Sequence, residues 1–319
     1  MLSTPWSRSA GLRVPIVNAP MGGVAGGRLA AAVTAAGGLG MIGMGSTASA
    51  ALLATELGRL GDTARFGIGL VDWVIRGQPD LFDAALAARP TLLSVSFGAD
   101  FSWVDRAHEA GIMTATQVYD HESARRAQGA GVDVLVARGA EGGGHGEVRL
   151  ATLPLLDVVL AAVTVPVLVA GGIASPRSLA AVLAAGADGA WLGTCLSACA
   201  ETLTGDGARR VLIAAAGTDT VTTRVFDIGQ RLAWPARFPS RVLRNDFVTR
   251  WTGREEALSG DRGAGAELAA GIVADDQRVV PVDAGQGVGM VTGSDSVGPV
   301  GIVIDQLCAG AERLLTRWG

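Results

Sequence analysis

The feature that most constrains this chain is a repeated unit. Over the first two thirds of its 319 residues, a short β-branched apolar run leads into a glycine-bearing or polar turn. An Ala/Leu-rich stretch with helical periodicity follows each turn. The apolar runs lie at 15–18, 39–43, 66–70, 92–95, 113–116, 134–136, 167–170 and 189–192, with helical patterns such as 28–36, 48–60, 102–110, 121–130 and 176–185 between them. Several helical patterns end on Gly37, Gly111, Gly131 or Gly186, where glycine can supply a left-handed cap. Strands that alternate with helices imply an all-parallel sheet, because a parallel return needs a crossover of helix length. Eight such strands close a barrel, so the chain is expected to be an α/β protein built on a (β/α)8 TIM barrel.

From about 218 the unit stops. Residues 218–280 are richer in Arg, Trp, Phe and acidic side chains; a Gly-rich stretch and an apolar helix at about 300–315 follow. The expected organisation is a barrel from 1–217 plus 295–319 and a small, mainly helical second domain at 218–294. The last helix is expected to return and pack on the barrel.

Composition then removes chemistries. All 26 basic side chains are Arg. A chain without lysine forms no side-chain Schiff base, so lysine-dependent aldolase and pyridoxal-phosphate chemistry are excluded, as is a P-loop ending in Gly-Lys-Ser/Thr. A bound phosphate would be held by backbone N–H groups, helix N-termini or Arg. The net charge of −4 offers no basic footprint for nucleic acid. Cys195, Cys199 and Cys308 form neither a disulfide framework nor a zinc spacing, which favours a reducing compartment and no metal. The first 17 residues lack an apolar run of signal-peptide length, and the apolar window 150–173 is broken by Pro154, Asp157 and Pro166. A cytoplasmic protein with no membrane partner is therefore expected.

In a barrel of this kind, chemistry sits where strands end. The first strand runs into Asn18-Ala19-Pro20-Met21-Gly22-Gly23. This is either a stiff turn whose backbone lies against a flat ligand or an ordinary Gly-rich connection. The sixth strand runs into Arg138-Gly139-Ala140-Glu141-Gly142-Gly143-Gly144-His145-Gly146. Neither helix nor strand forms easily through so many glycines, and ordering them costs conformational entropy. His145 is therefore a candidate base or anion partner. His108 and His121 lie in polar helical stretches and read as surface residues. The seventh strand is followed by Ala170-Gly171-Gly172-Ile173-Ala174-Ser175-Pro176 and the eighth by Gly193-Thr194. Paired glycine turns at these two positions are the usual phosphate site of the barrel, with Ser175 as N-cap and Pro176 at the first helical position.

Two patterns mislead. Gly38-Leu39-Gly40-Met41-Ile42-Gly43 matches G-x-G-x-x-G, yet it leaves a helix and enters a strand, the reverse of a dinucleotide fingerprint. Cys195 and Cys199 share a helical face without ligand partners and read as buried small hydrophobes.

Together, Asn18–Gly23, Gly139–Gly146 with its histidine, Ala170–Ile173 and Trp191–Thr194 resemble the nitronate monooxygenase (2-nitropropane dioxygenase) family, which is related to the flavin-dependent enoyl-ACP reductases. The likeness extends to Thr223-Arg224-Val225-Phe226 and Ala284-Gly285-Gln286-Gly287. It implies an FMN-binding barrel with a helical lid. The flavin ring would lie on Ala19, Pro20, Met21 and Gly22, with Gln117 nearby. Arg138 and Gly143 would approach the ribityl-phosphate side. Gly171, Gly172, Gly193 and Thr194 would hold the phosphate, with Leu192 beside them. His145 matches the catalytic histidine that abstracts the α-proton of a neutral nitroalkane or holds the nitronate anion. The implied reaction turns a nitronate or nitroalkane and dioxygen into a carbonyl compound and nitrite. The alternatives are an NAD(P)H-dependent FMN reductase of enoyl thioesters or quinones, and a non-catalytic flavin binder. The resemblance allows a homodimer. Two departures stand out: Gly69 where relatives often carry Asn, and Arg138 where many carry Gln.

Overall fold

A computed structural model describes residues 2–291 and 298–318. The eight expected strands are β1 (Ile16–Asn18), β2 (Met41–Gly43), β3 (Gly67–Val71), β4 (Leu92–Ser96), β5 (Met113–Val118), β6 (Val134–Arg138) and, after a short β7 (Gly144–His145), β8 (Val167–Ala170) and β9 (Gly189–Leu192). They pair in parallel in the order β1-β9-β8-β6-β5-β4-β3-β2. A bridge between Val17 and Leu39 joins the two ends and closes the barrel.

Alternation along each strand separates two cores. Ile16, Ile42, Ile68, Leu93, Leu135 and Val169 face outward into the large apolar layer beneath the helices. Val17, Met41, Leu92, Ala115, Val134, Val136, Leu168 and Trp191 fill the barrel interior. Trp6 and Leu12 join that inner cluster. Trp6 comes from a helix, Pro5–Ser9, that periodicity does not reveal because it is barely one turn long; a capping box on Thr4 holds it.

The punctuation read from sequence is present. Gly37, Gly111, Gly131 and Gly186 take φ of 99°, 72°, 85° and 103°. Asp120 and Ser175 form capping boxes with Ser123 and Ser178. The helix Val300–Leu315 returns to lie along Pro176–Ala184, and a Cβ at Gly310 would come within 2.6 Å of the Pro176 ring. The G-x-G-x-x-G glycines serve close packing: a Cβ would lie 1.8 Å from the Ala30 carbonyl oxygen at Gly40, and 2.4 Å from the Pro20 carbonyl carbon at Gly43. The three cysteines are buried, and burial pushes their thiols up to about 12, as small interior hydrophobes require.

Beyond 218 lie β10 (Thr220–Thr223), β11 (Ser240–Leu243) and helices Val225–Gly229, Asp246–Trp251, Glu255–Gly260 and Arg262–Ala274. Val225, Phe226, Phe247, Val248, Trp251 and Leu268 give this segment an apolar cluster of its own. One feature departs from the sequence reading. The glycine-rich loop does form a strand, since β7 pairs with β11 and completes an antiparallel sheet in the order β10-β11-β7. Two residues show no periodicity, so only the approach of Ser240–Arg241 makes Gly144–His145 extended. The boundary expected at 294/295 lies outside the described residues. Among those residues, no helix is long and apolar enough to cross a membrane.

Candidate active site

Where the strands end, a cavity of about 380 Å³ opens. Period-2 alternation sets its floor. Ser94, Gln117, Arg138 and Ala170 continue the inward rows begun by Leu92, Ala115, Val136 and Leu168, and all four line the cavity. By the same alternation Leu192, next to inward Trp191, points away. It is 1% exposed and does not line the cavity; its carbonyl instead accepts the Ala19 N–H at 2.7 Å. The other cofactor candidates, Ala19, Pro20, Met21, Gly22, Gln117, Arg138, Gly143, Gly171, Gly172, Gly193 and Thr194, all line the cavity, as does His145.

The first loop is fixed from below. The Asn18 side chain accepts from the Met41 N–H at 2.7 Å and donates to the Met41 carbonyl at 2.9 Å, tying β1 to β2. Pro20 then presses on the third strand. A Cβ at Gly69 would lie 2.2 Å from both Cβ and Cγ of Pro20, so this chain has no room for a side chain there. Gly69→Ala is expected to lower unfolding free energy by about 1–3 kcal/mol, the usual range for overpacking, in urea denaturation monitored by circular dichroism. Unchanged stability would mean that the Pro20 loop yields freely.

After β8, beside the glycine-rich loop, Gly171 and Gly172 take φ of 108° and 69°. Among the described residues, the N–H groups of Gly172, Ile173 and Gly193 are donated to no protein acceptor. Thr194 Oγ1 accepts the Gly285 N–H at 2.9 Å, which docks the Ala284–Gly287 segment against this turn. Unpaired N–H groups converging on one cradle suit an anion, as a lysine-free chain needs.

The glycine-rich loop is organised by Arg138. This guanidinium is 5% exposed, and its Nη2 donates to the carbonyls of Gly142, Gly143 and Gly144 at 3.0, 3.1 and 2.9 Å. Burial lowers its pKa. The loop is thus wrapped on a buried cation, a duty that the sequence did not disclose. At its end, His145 Nε2 lies 2.9 Å from Asp227 Oδ1, and the imidazole stacks on Trp234 with centroids 3.6 Å apart and planes 8° off parallel. The side chains of His145 and Asp227 are 15% and 5% exposed.

Trp234 also meets Phe97 edge-on at 5.0 Å, and both line the cavity. Phe97 takes φ of 70°, a strained conformation for a bulky side chain that points to a functional constraint. Gln117 accepts from the Tyr119 hydroxyl at 3.0 Å, which leaves its amide NH2 to face the cavity. Asp283 lines the cavity too, and the Ser240 hydroxyl donates to its Oδ1 at 2.8 Å.

Sequence reasoning brought together the barrel-loop residues but missed Asp227, Trp234, Phe97 and Asp283. Asp227 directly follows the run Thr223–Phe226, and Asp283 directly precedes Ala284–Gly287, so proximity to those motifs was the available signal. Trp234 offers none, since its place over His145 depends on a contact between residues 89 positions apart.

The comparisons agree with this geometry. The family model described as nitronate monooxygenase matches residues 76–310. A nitronate monooxygenase of Paraburkholderia phytofirmans is 32% identical over 285 residues, covering 75% of this chain and 75% of that protein. Against one further curated relative the match takes up 53% of the relative's length, about half. Among solved structures, FabK from Thermotoga maritima superposes with a TM-score of 0.85 at 25% identity, covering 100% of this chain and 99% of that one. A nitroalkane oxidase from Streptomyces ansochromogenes gives 0.82 at 29% identity, covering 98% and 100%. With the family model spanning most of the barrel and running on through the segment that carries Asp227 and Trp234, the chain belongs to the nitronate monooxygenase family.

Proposed function

We propose that this protein is an FMN-dependent oxidoreductase that oxidises alkyl nitronates, formed from nitroalkanes, with dioxygen to a carbonyl compound and nitrite. The observation that carries the reading is the His145–Asp227 pair, stacked under Trp234 and opening on a cavity that also holds an anion cradle. The solved structure bearing the name nitroalkane oxidase lends it further support.

The site fits the cofactor. The N–H groups of Gly172, Ile173 and Gly193, with Gly171 and Thr194, would hold its phosphate. Ala19, Pro20, Met21 and Gly22 would carry the ring, Gln117 would offer its amide, and Arg138 and Gly143 would shape the loop beside it. Leu192 would act through its carbonyl, which places Ala19. When bound, FMN supplies the electron acceptor and the means of activating dioxygen.

The protein's own residues handle the proton. Asp227 accepts the Nε2–H of His145 and so leaves the Nδ1 lone pair as the base. Nδ1 takes the α-proton of the nitroalkane. The C–H electron pair moves into the nitro group, giving the nitronate; overall, two nitronates and one dioxygen give two carbonyl compounds and two nitrites, so that each reacting carbon gains one oxygen atom. Residues 218–291 act as a lid that delivers Asp227 and Trp234 and excludes water over the barrel carried by the described residues 2–217 and 298–318.

Anaerobic mixing of flavin-loaded protein with ethyl nitronate tests this. The flavin absorbance is expected to bleach with nitronate and to stay unchanged with NADH or NADPH, and nitrite should appear on readmission of air. Bleaching by NAD(P)H alone would replace the reading with a reductase of enoyl thioesters or quinones. No bleaching by either would leave a flavin-binding protein.

A further inference from the structure

We propose that Phe97 sets the length of alkyl chain this enzyme accepts, by closing the apolar side of the cavity one ring away from His145. This rests on the proposed function and deepens it.

Phe97 follows β4 directly, where the chain is anchored on both sides. Ser96 Oγ accepts the Gln117 N–H at 3.1 Å, and a Cβ at Gly98 would lie 2.1 Å from the carboxyl carbon of the buried Asp72. The reversal between these anchors puts Phe97 at φ 70°. Glycine or asparagine takes that conformation with less strain. A bulky ring kept there is explained by what the ring touches.

Its neighbours are aromatic. The ring meets Trp234 edge-on at 5.0 Å and Phe238 edge-on at 5.5 Å, and Trp73 meets Trp234 edge-on at 5.4 Å. Phe238 and Trp234 are 2% and 8% exposed. Edge-to-face pairs at these separations are favourable, and close-packed rings give way little. Phe97 is thus a wall backed by other rings, and it is half-buried because it also lines the cavity.

The wall stands next to the base. Trp234, which Phe97 touches, covers one face of His145 at 3.6 Å. A substrate whose α-carbon reaches Nδ1 of His145 would carry its alkyl chain along Trp234 towards Phe97. Val71 of β3, paired with Ser96, adds a further apolar side to this compartment. The charged groups next along the chain, Asp72 and Arg76, do not line the cavity. Such a compartment favours a plain alkyl chain over a polar one. Its depth is fixed by the Phe97 ring, so methylenes beyond that depth would have to displace a packed side chain or stay in water. The limit acts equally on a nitroalkane and on its nitronate.

Flavin-loaded Phe97→Ala and Phe97→Gly test the idea against the unmodified enzyme. Both remove the ring, and glycine also suits φ 70°, so instability of the alanine variant would not hide the result. The ratio of kcat/KM for the nitronate of 1-nitrohexane to that for the nitronate of nitroethane is expected to rise about tenfold or more, the worth of about two methylenes moved from water into the vacated space. Calorimetry should show the same rise in the affinity of heptanoate relative to propionate, unreactive carboxylates of matching shape. Ratios that stay within about twofold of the unmodified enzyme in both measurements would overturn the proposal. If neither nitronate turns over in any of the proteins, the proposed function falls, and the carboxylate ratio alone decides the role of Phe97. Heptanoate that binds neither variant would then count against it.

Discussion

Replacing His145 by Ala is expected to lower kcat/KM for nitroethane by about 10²- to 10⁴-fold, the range of a lost general base. Three observations carry this. His145 is the histidine that lines the cavity, it is held by Asp227 at 2.9 Å, and its ring is fixed by the Trp234 stack. A base oriented from two sides loses little freedom on reaction, which is where such groups gain their effect. Turnover of preformed ethyl nitronate should fall far less, because that substrate needs no deprotonation. The absorbance spectrum of bound flavin should be retained, since the cradle at Gly171–Gly172 and Gly193–Thr194 lies on other loops. Asp227→Asn should give a smaller loss with a displaced pH profile of kcat/KM, because the amide can no longer favour the Nε2–H tautomer. Equal losses on nitroethane and nitronate in His145→Ala would remove the base assignment.

Arg138→Met is expected to be the most damaging single substitution outside the chemistry itself. The guanidinium is enclosed and satisfies three carbonyls of one loop. An apolar side chain of similar length leaves those acceptors without their donor, at a cost of about 1–3 kcal/mol for each one that water cannot reach. Thermal unfolding should therefore shift down by about 5 °C or more. FMN affinity should fall with it, because Gly143 and Gly144 both line the cavity and their carbonyls both lean on this side chain. Arg138→Lys should recover only part of the loss, since the ammonium offers three donors on one nitrogen but its shorter stem falls short of where Nη2 stands. A melting temperature and flavin affinity equal to those of the unmodified protein would show that the loop stands without its clamp.

The same residue shows how far sequence carries. Arg138 could be placed at the end of an inward row by alternation alone, with Val134 and Val136 below it. The resemblance put it on the ribityl-phosphate side of a flavin. The structure turns its Nη2 to the protein's own backbone, because the glycines that follow have no side chains to satisfy their carbonyls. Gly69 is the converse case. The resemblance leads one to expect an asparagine there, and the Pro20 ring occupying that space accounts for the glycine.

Local and periodic information was sufficient for the barrel. Strand alternation, the helix-ending glycines, the capping boxes at Asp120 and Ser175 and the paired turns at Gly171–Gly172 and Gly193–Thr194 each depend on neighbours within a few residues, and these the sequence determined. The site's second half was decided only by tertiary structure. Pairing of Gly144–His145 with Ser240–Arg241 brings Asp227, Trp234 and Asp283 to a histidine 82, 89 and 138 positions earlier in the chain. No spacing rule reaches across such intervals; the loop is extended, and the histidine is oriented, because a distant strand and a buried guanidinium together meet the hydrogen-bonding needs of a glycine run that satisfies little by itself.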